Sequence, residues 1–434
     1  MDRRSRAKGR PLCRARPRFG PAHRHALCHA GRAPFPRDLD LWRIERDPAQ
    51  HHRPACAGPE GISFAMRFTY SDEQAMLLDS VDRFGAEQFP PADRHHLVQQ
   101  GRSAETAKWA MMAELGWLLL PIPEECGGLG GGVVELMALG EGFGRHLVPG
   151  AYVASSVLAS ALLAHGGEAM HGLIGQLGAG EAIAAAALLE DDGSYDLHHV
   201  AATAQGAGGD WTLTGAKCHV EDGGDADWFI VPARTSGGVA DRDGISLFLV
   251  PADAPGLKVE RFRAIDGHRH ARLTLEGTTA QAFGPLGEAL PLIEAAVARA
   301  NCALLAEAVG SMEAVSAITL EYLRTREQFG RPIGTFQVLQ HRMVDMRIAC
   351  EEARAMLCHV AMAIPKGEAA FQRAVSAAKV RIGECGVYVG QQAVQLHGGV
   401  GFSDELIVSH HLKRQMMLAI AHGSVDHYRT RFAA

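Results

Sequence analysis

The chain has 434 residues, of which 47% are apolar and 21% are charged, a composition typical of a globular protein with more than one domain. No run of about 18 consecutive apolar residues occurs, so the sequence predicts no membrane association. Residues 1–65 carry 14 basic and six acidic residues, whereas the rest carries 29 basic and 43 acidic residues, and a body this acidic argues against nucleic acid as a partner.

Residues 1–65 form a basic head that contains eight of the 20 prolines and shows no sustained apolar periodicity. Such a segment is predicted to be a disordered extension. We favour a mis-assigned translation start, with the true beginning at Met66, because a well-formed helix signal starts there at once. An Arg-rich transit peptide and an anchor to an anionic surface are the alternatives.

Residues 66–183 are predicted to form an N-terminal α domain. Ser71 or Asp72 can cap a first helix, in which apolar residues recur at helical spacing. A second helix is followed by the Pro/Gly-rich loop PIPEECGGLGGG, and helical patterns then continue over residues 133–177.

Residues 184–287 are predicted to form a middle β domain. Short β-rich runs such as DWFIVPAR, ISLFLVPAD and RLTLEG are separated by Gly, Asp and Pro. Strands of this length and spacing are typical of a small sandwich or barrel.

Residues 288–434 are predicted to form a C-terminal four-helix bundle with short connections. The fold class is therefore mainly α with a β domain between two helical domains. The helical patterns cover about residues 290–326, 336–364, 369–396 and 405–421.

The segment REQFGRPIGTFQ interrupts two long helical patterns in the C-terminal domain. Arg326 lies at the end of the first pattern, and Gly330 and Pro332 predict a turn after it. A guanidinium at a helix end beside a Gly-rich turn can bind a pyrophosphate through paired charged hydrogen bonds. A helix hairpin with a surface arginine is the structural alternative.

A second Gly-rich segment, QLHGGVGF, follows the third bundle helix. Gly398, Gly399 and Gly401 have no side chains, so a ligand could approach the backbone closely. A Gly-rich helix C-cap explains the same residues without a ligand.

Four segments together resemble the acyl-CoA dehydrogenase family: SDEQ, PEECGGLG, REQFGRPIGTFQ and QLHGGVGF. The resemblance covers about residues 66–430 and is greatest to the small subunit of pimeloyl-CoA dehydrogenase-type enzymes. The fold that it implies has the same order of domains: an α domain, a β barrel or sandwich, and a four-helix bundle.

The resemblance implies FAD as the cofactor, bound between subunits. Arg326 would contact the diphosphate of FAD held by a neighbouring subunit. The other residues that the resemblance places at the adenosine and diphosphate of FAD are Phe329, Gln337, Gln395, Leu396, His397, Gly398 and Gly399.

The family reaction oxidises a saturated acyl-CoA to the trans-2-enoyl-CoA, so the resemblance implies an acyl-CoA substrate. A carboxylate removes the α-proton while the β-hydrogen leaves as hydride to the flavin. An electron-acceptor flavoprotein is then the expected partner in electron transfer.

The catalytic carboxylate is missing at both positions where family members carry it. His422 stands in the place of a Glu near the C-terminus, and Ala300 in the place of a Glu early in the first bundle helix. In the β domain, Leu189 replaces a flavin-facing hydroxyl, and Glu221 replaces a usual Thr or Ser. His422 could act as a base, since imidazole has a pKa near ~6.5, but a tolerated substitution is the favoured interpretation.

These departures predict a hetero-oligomer, of α2β2 type, in which a homologous family subunit supplies the carboxylate and the contacts to the flavin ring. Asp426 and Glu307 are near the vacated positions in sequence, but a misplaced base is inefficient in proton transfer. Two alternatives remain: a catalytically silent structural or regulatory subunit, and a related flavin-dependent oxidase or monooxygenase.

No metal site is predicted, and the nine cysteines are scattered without a CxxC pair, as is typical of the reducing cytoplasm. Adjacent residues on a helix point about 100° apart, so adjacent histidines rarely chelate one metal. Three such pairs are predicted to lie on the surface or in loops: His95-His96, His198-His199 and His410-His411.

Overall fold

The computed structural model describes residues 70–100, 102–207 and 210–433. The predictions made for residues 1–65, and for a start at Met66, lie outside the described residues.

The first part of the described chain is helical, and Ser71 begins it with a capping box. The Ser71 hydroxyl accepts a hydrogen bond from the Gln74 amide, and the Gln74 side chain accepts one from the Ser71 amide. The prediction of a cap at this point is therefore confirmed. The helices are α1 (Asp72–Gln88), α2 (Arg94–Gln100), α3 (Arg102–Glu114), α4 (Val133–His146), α5 (Ser160–Leu163) and α6 (Glu168–Gly178).

The helical pattern predicted over residues 133–177 is not one regular element. Helix α4 ends at His146, its C-cap Leu147 has a positive φ of 49°, and Pro149 and Gly150 follow. The chain then forms a π-helix over Tyr152–Ala159 before α5 begins. Proline lacks an amide hydrogen and glycine adopts the positive φ of 117° found here, so both end the α-helical hydrogen bonding.

The middle part is a closed β-barrel, one of the two architectures predicted for it. Its strands pair in the order β1-β4-β2-β3-β7-β5, and β5 also pairs with β4, which closes the sheet, while β6 pairs with β7 at the side. Closure satisfies the backbone groups that an open sheet edge would leave unpaired. The strands are β1 (Ala184–Ala186), β2 (Thr203–Ala207), β3 (Asp210–Val220), β4 (Trp228–Arg234), β5 (Ile245–Pro251), β6 (Leu257–Arg263) and β7 (Arg269–Phe283).

The last part is a helical bundle with a small hairpin between its first two helices, and its four predicted helices are present. A further short helix follows the four. The elements are α7 (Leu290–Thr325), β8 (Glu327–Gln328), β9 (Arg331–Pro332), α8 (Gln337–Ala363), α9 (Glu368–His397), α10 (Ile407–Ile420) and α11 (Val425–Ala433).

Helix α7 is the central helix, and it packs closely against α4 of the N-terminal part. A Cβ atom added to Gly144 would lie 1.8 Å from the backbone oxygen of Glu307, and one added to Gly310 would lie 2.0 Å from that of Glu141. Only glycine permits this approach. Helix α7 contains a window with a mean hydropathy of 1.4, but 67% of that window is buried inside the protein, as in the core helix of a globular fold.

The prediction that His410 and His411 lie on the surface is wrong. Both are buried on α10, because this helix packs against both α7 and α9. The ring nitrogen Nε2 of His410 pairs with the Asp404 backbone oxygen at 2.8 Å, and Nδ1 of His411 pairs with the Ser311 hydroxyl at 2.8 Å. Among the described residues, no three His, Cys, Asp or Glu side chains are grouped as metal ligands.

Candidate functional site

The turn after α7 holds the backbone of Arg326 and leaves its side chain outside. The Arg326 amide donates to the Tyr322 oxygen at 2.8 Å, and the Arg326 oxygen accepts from the Ile333 amide at 2.8 Å. These two bonds fix the residue between the helix end and the hairpin. The Arg326 side chain is exposed, and its guanidinium makes no hydrogen bond or ion pair within the described part of the chain.

Phe329 forms the tip of the β8–β9 hairpin and is 92% exposed, with a positive φ of 55°. Its ring makes an edge contact with Phe336, at a centroid distance of 6.0 Å. Gln337 begins α8 and is also exposed. Phe329 and Gln337 therefore project from the same hairpin region as Arg326, and all three are accessible to a neighbouring molecule.

The end of α9 presents backbone where the sequence predicts a ligand contact. Gln395 is exposed, and a Cβ atom added to Gly398 or Gly399 would meet nothing within 4 Å. Leu396 and His397, by contrast, are 6% and 5% exposed and pack into the bundle. Of the predicted residues in this segment, Leu396 and His397 can therefore contact a ligand only through their backbone.

The two predicted ligand segments are joined by an aromatic stack. The rings of Tyr322 and His397 lie 4.3 Å apart between centroids, with their planes 24° apart. Tyr322 is in the last turn of α7, four residues before Arg326, and His397 ends α9. We call the exposed residues Arg326, Phe329, Gln337 and Gln395, with Gly398 and Gly399, the clamp surface.

His422 lies in the loop after α10 and has a positive φ of 52°. Its side chain is 8% exposed, and Nε2 lies 3.4 Å from Oε2 of Glu221. Its Nδ1 is buried and has no hydrogen-bond partner among the described residues. Burial lowers the pKa of His422; the carboxylate of Glu221 opposes this shift, and the charge of Lys379 adds to it.

Lys379 is a buried cation on α9 that fixes the end of α10. Its ammonium group donates to the backbone oxygens of Leu418 at 2.9 Å and Ala421 at 2.7 Å. Burial lowers its pKa to about 8, against the opposing attraction of Glu221. The loop that carries His422 is therefore held by a group that is itself costly to charge.

The two acids that lie near residues 300 and 422 in sequence, Glu307 and Asp426, are each paired with an arginine. Both carboxylate oxygens of Glu307 accept hydrogen bonds from Arg414, at 2.6 and 2.8 Å, in a bidentate pair. Asp426 is 87% exposed at its side chain and pairs with Arg429. Ala300 is fully buried, and an alanine side chain carries no proton acceptor.

The two segments of the β-barrel in which the sequence departs from the family pattern, around Leu189 and around Glu221, are neighbours in the structure. The backbone of Cys218 donates to that of Leu189 at 2.8 Å, which puts Leu189 beside the His219–Glu221 segment. The residues next to Leu189 and Cys218 in sequence, Glu190 and Lys217, form a buried ion pair at 2.7 Å. A cavity lined by Leu189, Glu221 and His422 measures about 20 Å³, room for about one or two water molecules.

Comparison with known proteins matches most of the described chain to one family. Family models of acyl-CoA dehydrogenases match in three parts: the N-terminal domain at residues 71–172, the middle domain at 185–278 and the C-terminal domain at 290–434. Acyl-CoA dehydrogenase FadE27 of Mycobacterium tuberculosis is 30% identical over 348 residues, which cover 77% of this chain and 89% of that protein. The chain belongs to the acyl-CoA dehydrogenase family.

Two solved structures share its fold. The Tcur3481-Tcur3483 steroid ACAD is 30% identical with a TM-score of 0.74, and the match covers 83% of this chain and 97% of that one. The ChsE4-ChsE5 complex from Mycobacterium tuberculosis is 27% identical with a TM-score of 0.74, covering 85% and 98%.

Acyl-CoA dehydrogenases bind FAD, and the two halves of this chain fit that cofactor differently. The clamp surface fits the diphosphate end, because it offers a guanidinium that has no partner in the part of the chain that the structure describes, exposed side-chain amides, and open backbone at two glycines. The region of His422 does not fit the flavin ring, because the side chains of Glu221 and His422 meet there.

Three features of this candidate site were not predicted from the sequence. They are the Tyr322–His397 stack, the Glu221–His422 contact and the buried Lys379. Only Lys379 leaves a signal in the sequence, since it interrupts the apolar face of α9 in the run SAAKVRI.

Proposed function

We propose that this chain is a subunit of a hetero-oligomeric, FAD-dependent acyl-CoA dehydrogenase, in which it contributes the clamp surface and lacks the catalytic base. The observation that carries the proposal is the contrast between the two halves of the site. The groups suited to a diphosphate face outward and make no side-chain hydrogen bond or ion pair with the described residues, whereas Ala300 and His422 leave both proposed base positions without a carboxylate.

The proposed reaction removes two hydrogens from the α and β carbons of an acyl-CoA thioester. FAD supplies the acceptor for the β-hydrogen when it is bound. Removal of the α-proton needs a base within hydrogen-bond distance of that carbon, with an accurate position. Glu307 and Asp426 are engaged by arginines, so we assign the base to the partner subunit.

The proposed partner is a homologous subunit with an intact carboxylate, in an assembly of α2β2 type. Support comes from the ChsE4-ChsE5 complex, whose two named chains form one assembly. The exposed aromatic ring of Phe329 also suits an interface, since a large apolar side chain at the surface is more stable when covered. An electron-acceptor flavoprotein would reoxidise the enzyme.

The deciding experiment is a count of FAD per polypeptide. The full-length chain is purified alone and together with a homologous subunit encoded nearby, and flavin absorbance is compared with protein concentration. We expect fewer than one FAD per chain in the assembly and little in the lone chain. One FAD per chain in the lone protein would refute the proposal.

Reduction of dichlorophenol-indophenol by acyl-CoA, with and without the partner, separates this proposal from a silent subunit. A productive subunit gives dye reduction that depends on Arg326 in this chain, whereas a purely structural subunit gives reduction that does not. Consumption of oxygen in the absence of any dye would instead indicate the flavin-dependent oxidase or monooxygenase alternative.

A further inference from the structure

The contact between Glu221 and His422 joins two parts of the fold that carry opposite sides of the site. Glu221 directly follows β3 of the barrel, and His422 follows α10 of the bundle. Their side chains meet at 3.4 Å between Oε2 and Nε2. A planar ligand between barrel and bundle at this point would have to separate them.

The charges around this contact favour the arrangement in which the side chains of Glu221 and His422 touch. Lys379 holds the Leu418 and Ala421 oxygens, and its positive charge attracts the carboxylate of Glu221. Glu221 therefore faces a buried cation and an imidazole nitrogen together. Moving the carboxylate of Glu221 away would remove its attraction for the buried ammonium group of Lys379, which is unfavourable in a medium of low polarity.

The remaining space is also too small for a tricyclic ring. The cavity that Glu221 and His422 line with Leu189 measures about 20 Å³, and a second cavity beside Glu221 and Met417 measures about 40 Å³. These volumes hold about one to four water molecules. Typical ligand pockets enclose roughly 300–1,000 Å³.

We propose that the Glu221–His422 contact closes this chain's own flavin-ring site, so that FAD is bound only where the partner subunit supplies the ring contacts. The inference rests on the proposed function and names the contact that would prevent FAD from binding in this chain's own site. A single pair of side chains, one on the barrel and one on the bundle, then sets the number of FAD molecules in the assembly.

The test shortens the side chains at residues 221 and 422 and measures the number of FAD molecules bound per chain. The variants are Glu221→Thr, His422→Gly and the double variant, since glycine suits the positive φ of 52° at residue 422. Glu276→Thr is the matched control, because Glu276 lies in the same barrel and pairs with Lys258 on the exposed surface. Each is assembled with the partner and titrated with FAD while protein fluorescence and flavin absorbance are recorded.

We expect the double variant to rise from about half to about one FAD per chain, with the control unchanged. Unaltered FAD content in a variant whose circular dichroism and elution volume match wild type would overturn the inference. So would loss of dye reduction on His422→Gly at constant FAD, because His422 would then act as the base. If the double variant does not fold, the same counts on each single variant decide the matter.

The outcomes distinguish this inference from the proposed function. If the wild-type lone chain already binds one FAD, both are wrong. If the wild-type assembly has about half an FAD per chain and no variant gains any, only the closure is wrong.

Discussion

The side-chain amide nitrogen Nδ2 of Asn301 lies 2.8 Å from the hydroxyl oxygen of Tyr428 and donates a hydrogen bond to it. The same hydroxyl donates to the backbone oxygen of His422 at 3.0 Å. Asn301 follows Ala300 directly, so one buried hydroxyl joins the neighbour of Ala300 to the backbone of His422, the two positions at which we propose that a catalytic carboxylate is missing. The two hydrogen bonds therefore hold residues 300 and 422 in a fixed placement relative to each other.

Tyr428→Phe is expected to lower the free energy of unfolding by about 1–3 kcal/mol, because the buried amide of Asn301 loses its acceptor. Urea denaturation followed by circular dichroism measures the change. Tyr195→Phe is the control, since the Tyr195 hydroxyl makes no hydrogen bond with the described residues. Equal stability of the two variants would show that the Asn301–Tyr428 bond contributes nothing.

Arg326→Ala is expected to weaken FAD binding in the assembled protein by roughly 10- to 100-fold, the value of losing one or more charged hydrogen bonds. Arg326→Lys should recover only part of this, because an ammonium group cannot form the bidentate pair. FAD retained after gel filtration measures the effect. Arg242→Ala is the control on the barrel, where Arg242 is 61% exposed and pairs with Glu294; equal FAD loss in this control would contradict a specific role for Arg326.

Glu307→Ala is expected to lower the free energy of unfolding by about 3 kcal/mol, because Arg414 loses one of its two buried carboxylate partners. Glu307→Gln should be less harmful, since the amide oxygen can still accept a hydrogen bond. Urea unfolding of both variants measures the difference. A Glu307→Ala variant that is fully stable but loses dye reduction would instead make Glu307 a catalytic residue.

The buried Lys379 makes stability depend on pH in the alkaline range. Burial lowers its pKa from 10.5 in the unfolded chain to about 8, so between these values the unfolded state binds the extra proton. The contribution of Lys379 to the free energy of unfolding therefore rises as pH increases from about 8 to about 10.5, by about 3 kcal/mol. Below about pH 8 the full penalty of charging the buried group remains.

Lys379→Met should remove this rise, and the difference between wild type and variant isolates it from other groups that titrate at the same pH. Chemical denaturation at pH 7.5, 9 and 10.5 provides the measurement. Parallel pH profiles of the two proteins would show that Lys379 does not titrate as its burial indicates.

Local signals predicted much of the fold. The first helix begins at Ser71 because the Ser71–Gln74 box satisfies amides at the helix start. The chain turns after Arg326 because Gly330 adopts a positive φ of 74°, which glycine tolerates. Such features depend on a few neighbouring residues, so the sequence carries them directly.

Other features were predicted wrongly or missed because periodicity shows that a segment is helical without showing which faces are covered. His410 and His411 resemble surface residues in sequence, but α10 is buried against α7 and α9 on the sides that carry them. Leu396 and His397 belong to the predicted ligand segment, yet packing turns both side chains into the bundle.

The sequence by itself determined which chemical groups this protein possesses: an arginine at the end of a helix, glycines beside it, and no carboxylate at residue 300 or 422. Only the tertiary structure decided that Glu221 meets His422 and that Tyr322 stacks on His397. Such pairs are distant along the chain and become neighbours when the barrel and the bundle pack together. Their contact follows from the shape of the whole fold, which no short stretch of residues specifies.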